Sequence, residues 1–142
     1  MKTSARNQFA GTVKSVDLAP VSAQVVIELP GGVEIVSTMT RSAAERLKVR
    51  QGQAAVALIK ASSVAIVTEF DGYVLSARNQ LAGTVSQLER GAVSSLVTLT
   101  LASGLRVSAS VTNEAVDDLA LKLGANATAV FKAYSVIVGV KP

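Results

Sequence analysis

SARNQFAGTV, residues 4–13, returns as SARNQLAGTV at residues 76–85, so nine of ten positions recur after an offset of 72 in a chain of 142 residues. Cores accept many apolar residues of similar volume. A repeated Ser-Ala-Arg-Asn therefore needs a reason beyond packing. At the same offset, residues 4–67 align with 76–139 without a gap and about 24 of 64 positions are identical, the mark of an internal duplication. Gly32/Gly104, Thr40/Thr112, Leu47/Leu119 and Gly52/Gly124 recur, and a second dense patch sets Lys60-Ala61-Ser62-Ser63-Val64 against Lys132-Ala133-Tyr134-Ser135-Val136. Two domains are expected, 1–69 and 74–142. The connecting TEFDGYVL, residues 68–75, is too short and too aromatic for a flexible tether, so the copies should touch.

Each copy predicts the same series of elements. A long first strand at 6–16 is interrupted by Gly11, where a bend or bulge is expected. QVVIEL at 24–29 is a second strand, Pro30-Gly31-Gly32 turns the chain, and a third strand follows at 33–39. TRSAAERLKV then reads as a short helix with Thr40 as N-cap, and its counterpart TNEAVDDLALKLG carries acidic residues in the first turn, where the helix dipole favours them. Strands at 55–59 and 63–67 are expected to close the unit. The class is thus all-β with a short helix per repeat. Three strands, a helix and two strands in about 65 residues is the order of an OB-fold barrel. So small a barrel is marginal alone, so stability is expected from association between copies and then between chains.

Composition bounds the chemistry. Apolar residues are 49% and charged residues 17%, enough for a core and unlike a disordered chain. No apolar run nears the length of a membrane span, and MKTSARNQ lacks the apolar stretch of a signal peptide, so a cytoplasmic protein without membrane contact is expected. The chain has neither His nor Cys, which removes the usual ligands for zinc, copper and iron–sulfur clusters and excludes His-dependent nucleophilic triads. A net charge of +4, shared evenly by the two halves, favours an anionic partner. The charge is too thin for a dedicated DNA binder.

The duplicated cations suggest which anion. Arg6 and Arg78 open their barrels between Ser and Asn, while Lys60 and Lys132 lie where one strand ends and the next begins. Guanidinium, ammonium, hydroxyls and backbone N–H groups make a donor-only set suited to a small multivalent oxyanion. An isolated Arg at a strand start is usually a solvated rim charge; its repetition in register argues for more. The helix start, near Thr40 and Ser42, is a further candidate source of donors, though Thr40 and Thr112 read first as simple caps and Glu114 replaces Ser42 in the second copy.

LSARNQLAGTV followed about 50 residues later by FKAYSVIV, with TSARNQFAGTV and LIKASSVAIV in the first copy, resembles the Mop domain of molybdate-binding proteins, in the tandem arrangement of the molbindins. The resemblance covers nearly the whole chain. It implies two tandem OB-fold (Mop) barrels assembled as a homotrimer of six domains, binding molybdate or tungstate where the opening segment of one domain faces the Lys-Ala-Ser segment of another. Carried over by motif, the donors are Ser4, Ala5 (backbone) and Arg6 with Lys60, Ala61 and Ser62, and Ser76, Ala77 and Arg78 with Lys132, Ala133 and Tyr134. Molybdenum enters only as the oxyanion, with no direct protein–metal ligand, no other cofactor and no catalysis. The implied function is cytoplasmic storage and homeostasis of the anion. The alternatives are a molybdate-sensing regulatory module and a single-stranded nucleic-acid binder. The latter needs aromatic stacking platforms in a basic groove, and the chain has three Phe, two Tyr and no Trp. No nucleic-acid partner is therefore expected.

Overall fold

A computed structural model describes the whole chain, Met1–Pro142. In the first repeat β1 (Asn7–Leu18), β2 (Ser22–Glu28) and β3 (Glu34–Thr40) form a meander, followed by α1 (Arg41–Leu47), β4 (Ala54–Ile59), a 3-10 turn (Ala61–Ser63) and β5 (Ala65–Val67). The second repeat gives β6 (Asn79–Arg90), β7 (Ser94–Leu101), β8 (Arg106–Thr112), α2 (Asn113–Asp118), β9 (Asn126–Phe131), a 3-10 turn (Ala133–Ser135) and β10 (Ile137–Val140). This is the expected order: tandem OB-type units, mostly strand, with one short helix each. Strand pleating explains the alternation, since β2 buries Ala23, Val25 and Ile27 and turns the residues between them outward. Thr40 and Thr112 cap their helices, each Oγ1 accepting from the backbone N–H of Ala43 or Ala115 at 3.1 Å. No helix is long and apolar enough to cross a membrane.

The repeated AGTV is where β1 and β6 serve two neighbours. β1 pairs with β4 through Asn7–Thr12 and with β2 from Thr12 onward. The bulge expected at Gly11 lies instead between Val13 and Ser15. Gly11 answers a different need: a Cβ there would sit 2.3 Å from the carbonyl oxygen of Glu28, and one on Gly83 would sit 2.6 Å from that of Thr100. Only glycine lets the crossing strands approach so closely.

One expectation is overturned. The strand at 63–67 does not close its own unit. The two sheets run β10-β4-β1-β2-β3 and β5-β9-β6-β7-β8, so each repeat gives its last strand to the other. β5 pairs with β9 through Ala65↔Val130, and β10 pairs with β4 through Val138↔Ala57. The edges of β4 and β9 offer equivalent ladders, and local pattern cannot tell a strand which of two like edges to join. The consequence is a single core of 24 buried residues drawn from both repeats, with Phe9, Val25 and Ile59 in the same cluster as Leu81, Val97 and Phe131. Between the repeats, Asp71 and Gly72 both take positive φ and reverse the chain, with Tyr73 N–H donating to Phe70 C=O at 2.8 Å.

Candidate functional site

Asn7 and Asn79, the fourth letters of the repeated phrase, are only 2% exposed. Asn7 Nδ2 donates to the carbonyls of Ser108 (2.9 Å) and Ile59 (3.2 Å), and its Oδ1 accepts from Ser108 N–H at 2.8 Å. Asn79 does the same to Val36, accepting from its N–H and donating to its C=O, both at 2.8 Å. Each side-chain amide thus behaves as one more peptide of a ladder, satisfying the outer edge of β8 or β3 in the other repeat. That is why Asn recurs. In the sequence it is only a flank of the arginine; its burial and its partner on the opposite repeat have no local signature.

This clamp, together with strand register, places the cations. Asn79 lies opposite Phe131 in the β6–β9 ladder, and Asn7 opposite Ile59 in β1–β4. Residues just before Asn79 and just after Phe131 must therefore emerge side by side. They do: Ser76, Ala77 and Arg78 line one recess with Lys132, Ala133 and Tyr134, a cavity of about 350 Å³ whose remaining lining residue is Thr38 of β3. All six second-repeat candidates meet in one place. Within one chain the two segments come from the same repeat, where antiparallel register joins them; the other repeat contributes the wall through Thr38. The first N–H groups of the 3-10 turn at Ala133 have no partner within the turn.

The equivalent recess at the other boundary, about 380 Å³, takes in Arg6 and Ala61 but not Ser4, Ala5, Lys60 or Ser62. Ser4, Lys60 and Ser62 are exposed, and Ala5 N–H is engaged by Thr3 Oγ1 at 3.1 Å. Opposite Arg6 stand Ser110, the counterpart of Thr38, and Ser94, Ser95 and Arg90 from the β6–β7 hairpin. Thr38, Ser110 and Arg90 have no signal in the sequence, since only the tertiary fold brings β3, β8 and the end of β6 to these rims. Thr40 and Ser42 line neither recess.

Three of the chain's cations are tied to carboxylates, and none of the three is a repeated one. The chain's ion pairs join Lys14 to Glu28 and Glu34, Arg41 to Glu45, and Arg90 to Asp117. Neither Arg6, Arg78, Lys60 nor Lys132 has a carboxylate partner. Arg78 Nη1 instead donates to the neutral amide oxygen of Gln24 at 2.8 Å. Arg90 is held above its ordinary range by its hydrogen bond to Asp117, whose carboxyl is lowered by the same contact. No group of three or more His, Cys, Asp or Glu side chains could hold a metal ion. The Arg78 recess can therefore donate protons and positive charge to an acceptor-only ligand, with no carboxylate on its wall to oppose an anion.

Comparison with known proteins gives a consistent picture. The TOBE domain matches residues 3–66 and again 75–138. The chain is 60% identical over 141 residues to the molybdenum transport protein ModE of Herbaspirillum seropedicae, and 36% identical over 137 residues to the molybdenum-pterin-binding protein MopA of Rhodobacter capsulatus. These alignments take in 99% and 96% of the chain but 52% of each relative, so the chain spans about half the length of the curated relatives it matches. Among solved structures, the cytoplasmic molybdate-binding protein ModG with molybdate bound superposes with a TM-score of 0.95 at 47% identity, over 99% of this chain and 100% of that one.

Proposed function

The chain belongs to the TOBE-domain family, with one domain in each repeat, and from that premise we propose that it binds molybdate, and tungstate with it, as a cytoplasmic store that performs no catalysis. The observation that carries this reading is the set of duplicated Arg and Lys side chains without carboxylate partners, two of which share a donor-lined recess. A tetrahedral dianion offers acceptors only, and burying it without matched donors would be costly. Arg78, Lys132, the Ser76, Thr38 and Tyr134 hydroxyls and backbone N–H groups supply that match with neither metal nor covalent bond. Selectivity against sulfate follows from size, since Mo–O bonds are longer than S–O bonds and a cradle fixed by strand ends shrinks poorly onto the smaller ion.

The proposed assembly is a homotrimer of six domains. Val21 and Val93, equivalent residues of the two hairpins, are 81% and 78% exposed, and Tyr134 on the recess rim is 75% exposed. Apolar residues repeated at exposed positions suit contact between copies, and a second chain would cover the open recess and add donors from its own opening segment. Ligand at such a boundary ties affinity to assembly, because the bound anion stabilises the interface that forms its site.

Calorimetric titration with molybdate, tungstate and sulfate tests the reading. Saturable heat with the first two and little with sulfate is expected; equal heat with sulfate removes the selectivity. Light scattering should give the mass of three chains, and a monomer that binds fully would remove the trimer.

A further inference from the structure

Gln24 and Leu96 occupy equivalent positions of β2 and β7, each beside a recess. Gln24 stands opposite Thr38 across the β2–β3 ladder, and Leu96 stands opposite Ser110 across β7–β8. The Gln24 amide oxygen accepts from Arg78 Nη1 at 2.8 Å. A leucine can offer Arg6 no such bond. We propose that Gln24 is a positioning residue which holds Arg78 at the recess without neutralising it, making the Arg78 recess the tighter of two inequivalent oxyanion sites.

Three features of the chain support the inequality. An arginine side chain loses much rotamer freedom when a ligand fixes it, and a neutral acceptor from the neighbouring strand removes part of that loss beforehand. The guanidinium keeps its full charge, because Gln24 carries none and Asp17, opposite Gln24 on β1, makes no ion pair with Arg78. The Arg6 recess differs on both counts: Leu96 offers no acceptor, and Glu89, the counterpart of Asp17, is on its wall, while Arg90 is already bound by Asp117 through two contacts of 2.8 and 3.0 Å. An entering dianion there meets one carboxylate directly and competes with another.

The inference rests on molybdate binding, and exchanging the two residues separates the questions. Isothermal titration of the intact protein with molybdate should resolve two classes of site. Gln24→Leu should weaken the tight class about tenfold, the worth of one hydrogen bond to a charged group, with an unchanged melting temperature. Gln24→Glu keeps the shape and the acceptor but cancels the charge, and should weaken that class further. Leu96→Gln should tighten the weak class. A single class in the parent chain, or a tight class unmoved by both Gln24 variants, overturns the inference while the function stands. No molybdate heat in the parent removes the function and the inference together.

Discussion

Asn7→Ala should be among the most damaging single polar substitutions in the molecule. The side chain makes three hydrogen bonds, two to the Ser108 peptide and one to Ile59 C=O. At roughly 1 kcal/mol net for each bond, with a further penalty for leaving partly buried peptide groups unpaired, the loss is about 3–4 kcal/mol. For a chain of this size that corresponds to a fall of about 10 °C in melting temperature. Asn79→Ala breaks two bonds to Val36 and should cost less, about 2–3 kcal/mol. The mechanism has a site-specific signature as well. β8 is an edge strand, and the Ser108 N–H finds its acceptor in the Asn7 side chain. Urea denaturation gives the energies, hydrogen exchange of the Ser108 amide reports the mechanism, and Gln8→Ala, an exposed neighbour, should stay within about 0.5 kcal/mol of the parent. An Asn7→Ala protein as stable as the Gln8→Ala control, with Ser108 still protected, would refute the claim that the asparagine serves as a surrogate strand.

Replacing Arg6 and Arg78 together by Ala should weaken molybdate binding about 100-fold or more, the scale of removing a charge that pairs with a ligand, while circular dichroism stays unchanged; normal binding would show the donors to be misassigned. Gly11→Ala drives a Cβ towards the Glu28 carbonyl and should cost about 2–3 kcal/mol. Gly32→Ala, strained by φ of +84° but open in space, should cost only about 1 kcal/mol, and denaturant midpoints would expose a reversed order. Thr40→Ala removes an N-cap worth about 1 kcal/mol and should leave the molybdate isotherm intact; weakened binding would make Thr40 a ligand. Asp117 titrates below its ordinary range because it bonds Arg90, so the pair stabilises the fold above that range and fades as pH falls through the lowered folded value. The stability gap between the parent and Asp117→Asn should therefore be present at neutral pH and vanish in strong acid; a gap that widened there would reverse the sign.

How much the chain disclosed in advance depended on the range of the interaction. Strands such as β2 and β7, the capped helices and the Pro30-Gly31-Gly32 turn were legible because pleat, helical period and turn dihedrals are properties of neighbouring residues. The duplication, the absence of His and Cys, and the recurring Arg and Lys are equally plain in the sequence, and they point to an anion. The tertiary structure decided what those residues meet. It sent β5 and β10 to the opposite repeat, made Asn7 and Asn79 surrogate peptides, gathered Ser76–Arg78 with Lys132–Tyr134 by antiparallel register, and added Thr38 and Gln24 from across the boundary. Two repeats of one pattern present equivalent edges, so the choice between partners is settled by one shared core and by the reach of a few buried side chains, neither of which leaves a local pattern.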